Sequence, residues 1–276
     1  MSQGGCQEKI SENVSSLTCY RKLCLPIENL LMKSEVMMEY STIKLEKVNG
    51  IATVILNRPE RGNAFVPQSW YELEDVFKEL GQDDSIRVVV ITGAGCHFCT
   101  GVEISAFHDF VERREQGRRG KELAISYKCG TIVSLALKSV PQPTIASIRG
   151  YAIGGGATFS LNCDIRIAAE DAKITFPFPT RASIVPEMGS SYSLPRLVGI
   201  AKACELVFTG KTITGKEAKE IGLVNDAVPS EDLEKVTYDL AKSIAEAAPL
   251  LVQLAKKGLY HGLNSDIHSQ LMWEEE

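Results

Sequence analysis

Hydrophobic positions show no sustained period through about residue 37 and become regular from Tyr40 onward. Residues 41–48 alternate apolar and polar, Asn49-Gly50 is a turn signal, and 51–56 (I-A-T-V-I-L) completes a predicted β-hairpin. A loop follows at 57–63 (N-R-P-E-R-G-N). Pro67 then opens a predicted helix in which Trp70, Leu73, Val76, Phe77 and Leu80 recur at helical spacing. The β-branched run at 87–92 (R-V-V-V-I-T) predicts a buried strand ending in the loop Gly93-Ala94-Gly95. A helix is expected to start near Glu103, and a long polar helix to run from about 120 to 138.

Residues 144–148 predict a further strand. Three glycines, Gly154, Gly155 and Gly156, separate it from a helical run at 157–161, and 164–168 returns as strand. Strands alternating with helices imply an α/β core with a largely parallel sheet. After Pro186 the pattern is helical, interrupted at Thr209-Gly210 and Gly222-Leu223, with a short extended piece at 224–228. Ser230, followed by Glu231 and Asp232, is the expected N-cap of a helix; Pro249 breaks the pattern and a further helix runs to about His261. The expected organisation is an extension outside the fold (1–37), an α/β core (38–229) and a helical C-terminal region (230–276).

Composition narrows the function classes. A net charge of −5 offers no electrostatic footprint for nucleic acid, and no apolar run is long enough to span a bilayer. Eight irregularly spaced cysteines without a secretory signal point to reduced thiols and a cytoplasmic location. Acidic residues at Glu8, Glu12, Glu28 and Glu35 argue against a mitochondrial transit peptide. Cys96-His97-Phe98-Cys99 is a lone C-x-x-C with no second pair at finger spacing, so no metal site is expected.

The strand, triple glycine and helix start carry the candidate chemistry. Glycines let the backbone approach a ligand, and a starting helix leaves N–H groups unpaired at the same place. That suits an oxygen that becomes negative during a reaction; a close helix–strand contact is the structural alternative. The spacing is neither the dinucleotide fingerprint nor a phosphate loop.

Six ordered motifs then resemble one family: 56–64 (L-N-R-P-E-R-G-N-A), 97–104 (H-F-C-T-G-V-E-I), 150–156 (G-Y-A-I-G-G-G), 163–169 (C-D-I-R-I-A-A), 207–210 (V-F-T-G) and 218–224 (A-K-E-I-G-L-V). In order and spacing they resemble the crotonase (enoyl-CoA hydratase/isomerase) superfamily over about residues 40 to 262. The resemblance implies an α/β crotonase fold of repeated β-β-α units with a helical C-terminal trimerisation region, and commonly a dimer of trimers. It implies an acyl-CoA thioester as ligand, coenzyme A entering only as part of the substrate, with no other cofactor. It implies an oxyanion hole of two backbone N–H groups, here those of Val102 and Gly155. Substrate-binding positions carried over the same way are Arg61, Asn63, Ala64, Thr100, Gly101, Gly154 and Phe178. By the same comparison the C-terminal helical tail looks shortened.

The carboxylates depart from the hydratase pattern. Where hydratases of this family carry their two glutamates, this chain has Thr158 and, after Pro177, Phe178. Hydration needs an activated water and a proton donor. By contrast, 184–195 (I-V-P-E-M-G-S-S-Y-S-L-P) resembles the segment that carries the single glutamate of the enoyl-CoA isomerase branch, which maps onto Glu187. Read structurally, Pro186 and Glu187 only open a helix, which would lower the carboxyl pKa; burial beside an acyl chain would raise it. Glu103 is expected to cap or salt-bridge, Asp164 to be structural, and His97 and His108 to pack near the CoA loop. Phe107, Phe110, Phe176 and Phe178 are expected in an acyl pocket or the core. The expected function is double-bond migration in an enoyl-CoA. The alternatives are a hydratase or acyl-CoA hydrolase using Glu187 and a bound water, and a CoA-binding or assembly protein with little catalysis.

Overall fold

The computed structural model describes residues 40–103, 121–182 and 184–275, with 121–128 as helix backbone alone. The expected helix near Glu103 and the residues Phe107, His108 and Phe110 lie outside the described residues. The chain enters as an antiparallel hairpin, Ile43–Val48 (β1) and Ile51–Leu56 (β2). Asn49 and Gly50 turn it with φ of 52° and 78°, the left-handed pair a tight hairpin of this twist requires. Helix Pro67–Gln82 (α1) follows, with Trp70, Leu73, Val76, Phe77 and Leu80 buried as their spacing predicts. Its Glu72 faces the start of β1 and accepts hydrogen bonds from the backbone and hydroxyls of Ser41 and Thr42.

Val88–Gly93 (β3), Thr144–Ile148 (β4), Ile165–Ala169 (β6) and Asp226–Val228 (β9) pair in parallel beyond β2, giving the sheet order β1-β2-β3-β4-β6-β9. β4 is buried along its whole length, which is why the inner strands read as continuous apolar runs rather than alternations. Lys121–Ser139 (α2) packs on α1. A second, three-stranded sheet, Tyr151–Ile153 (β5), Lys173–Thr175 (β7) and Thr212–Thr214 (β8), has the order β5-β7-β8. The chain therefore alternates between sheets: β4 to β5 before helix Gly155–Leu161 (α3), then β6 to β7 before the single turn Phe178–Arg181 (α4). This is the repeated β-β-α pattern.

Ser190–Val198 (α5) and Ile200–Thr209 (α6) pack against each other, and Gly210 in the left-handed conformation ends α6 at the expected break. Gly215–Glu220 (α7) carries a capping box from Thr214 and Glu217. Leu233–Ala245 (α8) packs across β3, β4 and β6. The sequence expectation at its start is corrected: Asp232, not Ser230, occupies the cap position, and the Ser230 hydroxyl donates to Asp171 instead. Pro249–Gly262 (α9) and Ile267–Glu275 (α10) complete the chain. Among the described residues no helix is long and apolar enough to cross a membrane.

Candidate active site

Two backbone segments are held side by side at the start of α3. Residues 97–102 run as an added edge along β5: Phe98 N–H donates to Arg149 O (2.8 Å), Cys99 N–H to Tyr151 O (3.0 Å), and Ile153 N–H to Cys99 O (3.0 Å). On the other side Phe65 N–H donates to Gly101 O (2.7 Å) and Glu103 N–H to Phe65 O (3.0 Å). In extended chain that alternation turns the intervening Val102 N–H away from Phe65, and no described residue accepts from it. Gly155 is the first residue of α3, so its N–H has no partner within the helix.

Glycine is required for this approach. A Cβ on Gly101, whose φ is 97°, would stand 2.8 Å from Ile153 O and 3.5 Å from Gly155 N. One on Gly156 would stand 2.2 Å from Cys99 O, so α3 seats on the loop only without a side chain there. Gly154, at φ 53° and ψ −119°, makes the bend between β5 and α3. The close helix–strand contact and the pair of unpaired N–H groups thus come from the same glycines.

Glu187 faces this pair. A Cβ on Gly155 would lie 3.6 Å from Glu187 Oε1, 3.8 Å from Val102 Cγ2 and 3.8 Å from Met188 Sδ. Burial pushes the Glu187 carboxyl up to about 7, with no cation among the described residues offsetting it. α5 begins only at Ser190, with Gly189 as its cap, so the helix-opening reading of Glu187 does not hold. A clamp fixes the segment. Glu187 O accepts from Ser190 N–H and Oγ (both 2.9 Å). Met188 O accepts from Asn162 Nδ2 (3.2 Å) and Ser134 Oγ (3.4 Å). Sequence reasoning did not find Ser134, Asn162 or Met188.

The other expected site residues divide. Arg61 carries an exposed guanidinium 3.8 Å from Glu103, and Arg58 bonds Glu103 at 2.7 Å, so Glu103 forms the expected salt bridges. Asn63 spends its amide inside the loops, donating to Ala94 O (2.9 Å) and His97 O (2.7 Å) and accepting from Arg58 N–H (2.9 Å). Ala64 is buried beside it, and Thr100 hydrogen-bonds Gly62 O. Phe176 and Phe178 are buried in the hydrophobic core. His97 packs on Tyr151, and its Nδ1 accepts from Tyr151 N–H (3.3 Å). Asp164 is structural as expected: it binds Thr144, Lys256 Nζ (2.8 Å) and Tyr260 OH (2.7 Å). Burial alone would raise its carboxyl, but Lys256 and these hydrogen bonds hold it below the usual range. Within the C-x-x-C, Cys99 Sγ is buried against Asn63 O whereas Cys96 is exposed. Thr158 is fully buried, and its Oγ1 has no hydrogen-bond partner.

Comparison with known proteins identifies the family. The model of the enoyl-CoA hydratase/isomerase family matches residues 46–276. The chain is 34% identical over 242 residues to a short-chain-enoyl-CoA hydratase of Clostridium acetobutylicum, spanning 87% of this chain and 88% of that protein. Among solved structures it is similar to an enoyl-CoA hydratase from Bacillus anthracis (34% identity, TM-score 0.78, 85% of this chain and 88% of that one). It is also similar to a monofunctional enoyl-CoA isomerase from M. smegmatis (32% identity, TM-score 0.69, 83% and 98%).

Proposed function

Because the chain belongs to the enoyl-CoA hydratase/isomerase family, we propose that it shifts the double bond of an enoyl-CoA thioester, with Glu187 as its single base. The observation that carries this reading is one partly buried carboxylate, with no cation beside it among the described residues, facing Gly155 and Val102. The ionised Glu187 removes a proton from C2 of a 3-enoyl thioester. The electron pair moves into a dienolate whose oxygen accepts from the Val102 and Gly155 N–H groups. Glu187 then returns the same proton to C4, leaving a 2-enoyl thioester. The base is regenerated and no electrons are exchanged, so the step needs no group beyond the CoA substrate. A base titrating near neutrality suits both halves of that shuttle.

Arg61, exposed on its loop, would meet the phosphates of CoA, with Ala64, Thr100, Gly101 and Gly154 supplying backbone walls. The helical C-terminal region is proposed to assemble the chain as a trimer or a dimer of trimers.

One observation favours a second reading. The unpartnered Thr158 Oγ1 stands where hydratases of the family carry a carboxylate, and several relatives are named hydratases. A water held by Thr158 and activated by Glu187 would hydrate a 2-enoyl thioester. Incubation with 3-enoyl-CoA and 2-enoyl-CoA separates the two. The expected result is double-bond migration that falls about 10²–10⁴-fold in Glu187→Gln. Hydration surviving that substitution would refute the single-base reading. Thioester binding without turnover would identify a binding protein.

A further inference from the structure

Two local penalties converge on one side chain beside the proposed base. Met188 has φ 52°, a left-handed conformation that a long side chain rarely adopts. Gly130 sits in the interior of α2, where glycine weakens a helix. The two are linked: a Cβ on Gly130 would come within 3.0 Å of Met188 Cγ and 3.4 Å of its Sδ. The helix gives up a side chain where the thioether needs room, and the loop accepts strain to present it. The Ser134 and Asn162 bonds to Met188 O hold that strained backbone in place.

The thioether lies between two spaces. On one side its sulfur is 3.8 Å from the vacant side-chain position of Gly155, which Glu187 and Val102 also face. On the other, Met188 lines a largely apolar pocket of about 690 Å³ between α2, α5 and α9, open to solvent on its outer side, together with Ser134, Leu135, Asn162, Tyr192 and Leu254. That volume lies in the range that holds small molecules. Met188 itself is buried, with 6% exposure, so its side chain packs between the two rather than projecting into solvent.

We propose that Met188 is the specificity-determining partition of the acyl site: it closes the reacting centre off from the pocket under α9, so the wild-type site takes short acyl groups, and its removal admits long ones. This rests on the acyl-CoA reading above but on neither choice of reaction. Methionine suits such a role, since an unbranched thioether fills an irregular gap closely.

The test is binding of saturated thioesters, measured by calorimetry with butyryl-, hexanoyl- and decanoyl-CoA. Met188→Gly places glycine at a positive φ, so the fold is expected to survive; circular dichroism checks it. Wild type is expected to bind butyryl-CoA at least tenfold more tightly than decanoyl-CoA, and Met188→Gly to reduce that ratio at least tenfold. Met188→Leu should keep the wild-type preference. Gly130→Ala crowds the thioether toward Gly155 and should weaken butyryl-CoA several-fold, but not in the Met188→Gly background, a coupling that a double-mutant cycle isolates. An unchanged chain-length ratio in folded Met188→Gly overturns the partition and leaves the reaction untouched. Tight, chain-length-selective binding without double-bond migration overturns the isomerase reading and leaves the partition standing. Absence of binding by every thioester overturns both.

Discussion

Burial raises the Glu187 carboxyl toward the range its proposed task would need, and the same burial has a cost that can be measured. Its folded pKa of about 7 lies above the ordinary value of 4.5. The native state therefore binds more protons than the unfolded state between those values, and this group's contribution to stability falls as pH rises through that window. Glu187→Gln removes a partly buried charge that has no cationic partner among the described residues. It is expected to be more stable than wild type at pH 8, by on the order of 3 kcal/mol, and no more stable near pH 4.5; urea unfolding at the two pH values checks this. In wild type the isomerisation kcat/KM should rise with pH and level off above about 7, because the ionised carboxylate is the base. Thr158 gives a separate test. Its buried, unpartnered hydroxyl is destabilising if it is only structural, so Thr158→Val should gain about 1 kcal/mol and leave isomerisation intact. Loss of a hydration activity in that variant would instead mark Thr158 as a water holder. Glu187 could be singled out as a candidate because P-E sits in a recognisable segment. The clamp of Ser134 and Asn162 on Met188 O was not: these bonds join residues 54 and 26 positions apart and leave no local pattern. The strain at Met188 was equally hidden, since only the backbone angle reveals it.

The elements read most readily were those whose burial repeats a local period. α1 showed its buried stripe, and β3 and β4 their apolar runs, because five or more residues share one environment. β5, β7 and β8 have three residues each, too few for an alternation to stand out. Their sheet is specified by tertiary pairing, and with it the route of residues 97–102 along β5. At this scale the joint between α9 and the sheet is the sharpest test. Lys256 Nζ reaches Asp164 Oδ2 (2.8 Å), Val140 O and Gln142 O (both 2.9 Å), and both charged side chains are largely buried. Lys256→Met removes the cation paired with Asp164, which keeps its bonds from Thr144 and Tyr260, and takes this donor from two carbonyls. A loss of roughly 3 kcal/mol is expected by denaturant unfolding, whereas Lys235→Ala, which opens the exposed pair with Asp239, should leave the midpoint within error. Because Asp164 is held below its ordinary pKa, its share of stability is present above that value and lost as pH falls through the depressed one.

On the scale of the whole molecule, the C-terminal helices bury too little to account for themselves. α9 runs 14 residues, yet Gly258 is its only fully buried residue, and α10 has none. Leu251 is 65% exposed and Leu259 is 75% exposed, with Leu263, Ile267 and Leu271 also open to solvent. Helices draw most of their stability from packing an apolar face, and soluble monomers rarely leave a contiguous apolar patch of this kind uncovered. Further copies of the chain would supply the missing contact, in keeping with the proposed trimer. Sedimentation velocity should then give a particle near a multiple of the 30.2 kDa chain mass, three being expected. The thermal midpoint should rise with protein concentration, as mass action requires when folding and assembly are linked. Leu259→Glu, placed on the exposed face of α9, should shift the particle toward monomer and abolish that concentration dependence. A monomer at micromolar concentration with a concentration-independent midpoint would refute assembly through these helices. The catalytic reading would then have to stand on the single chain, since the proposed donors Val102 and Gly155 and the proposed base Glu187 all lie within one protomer.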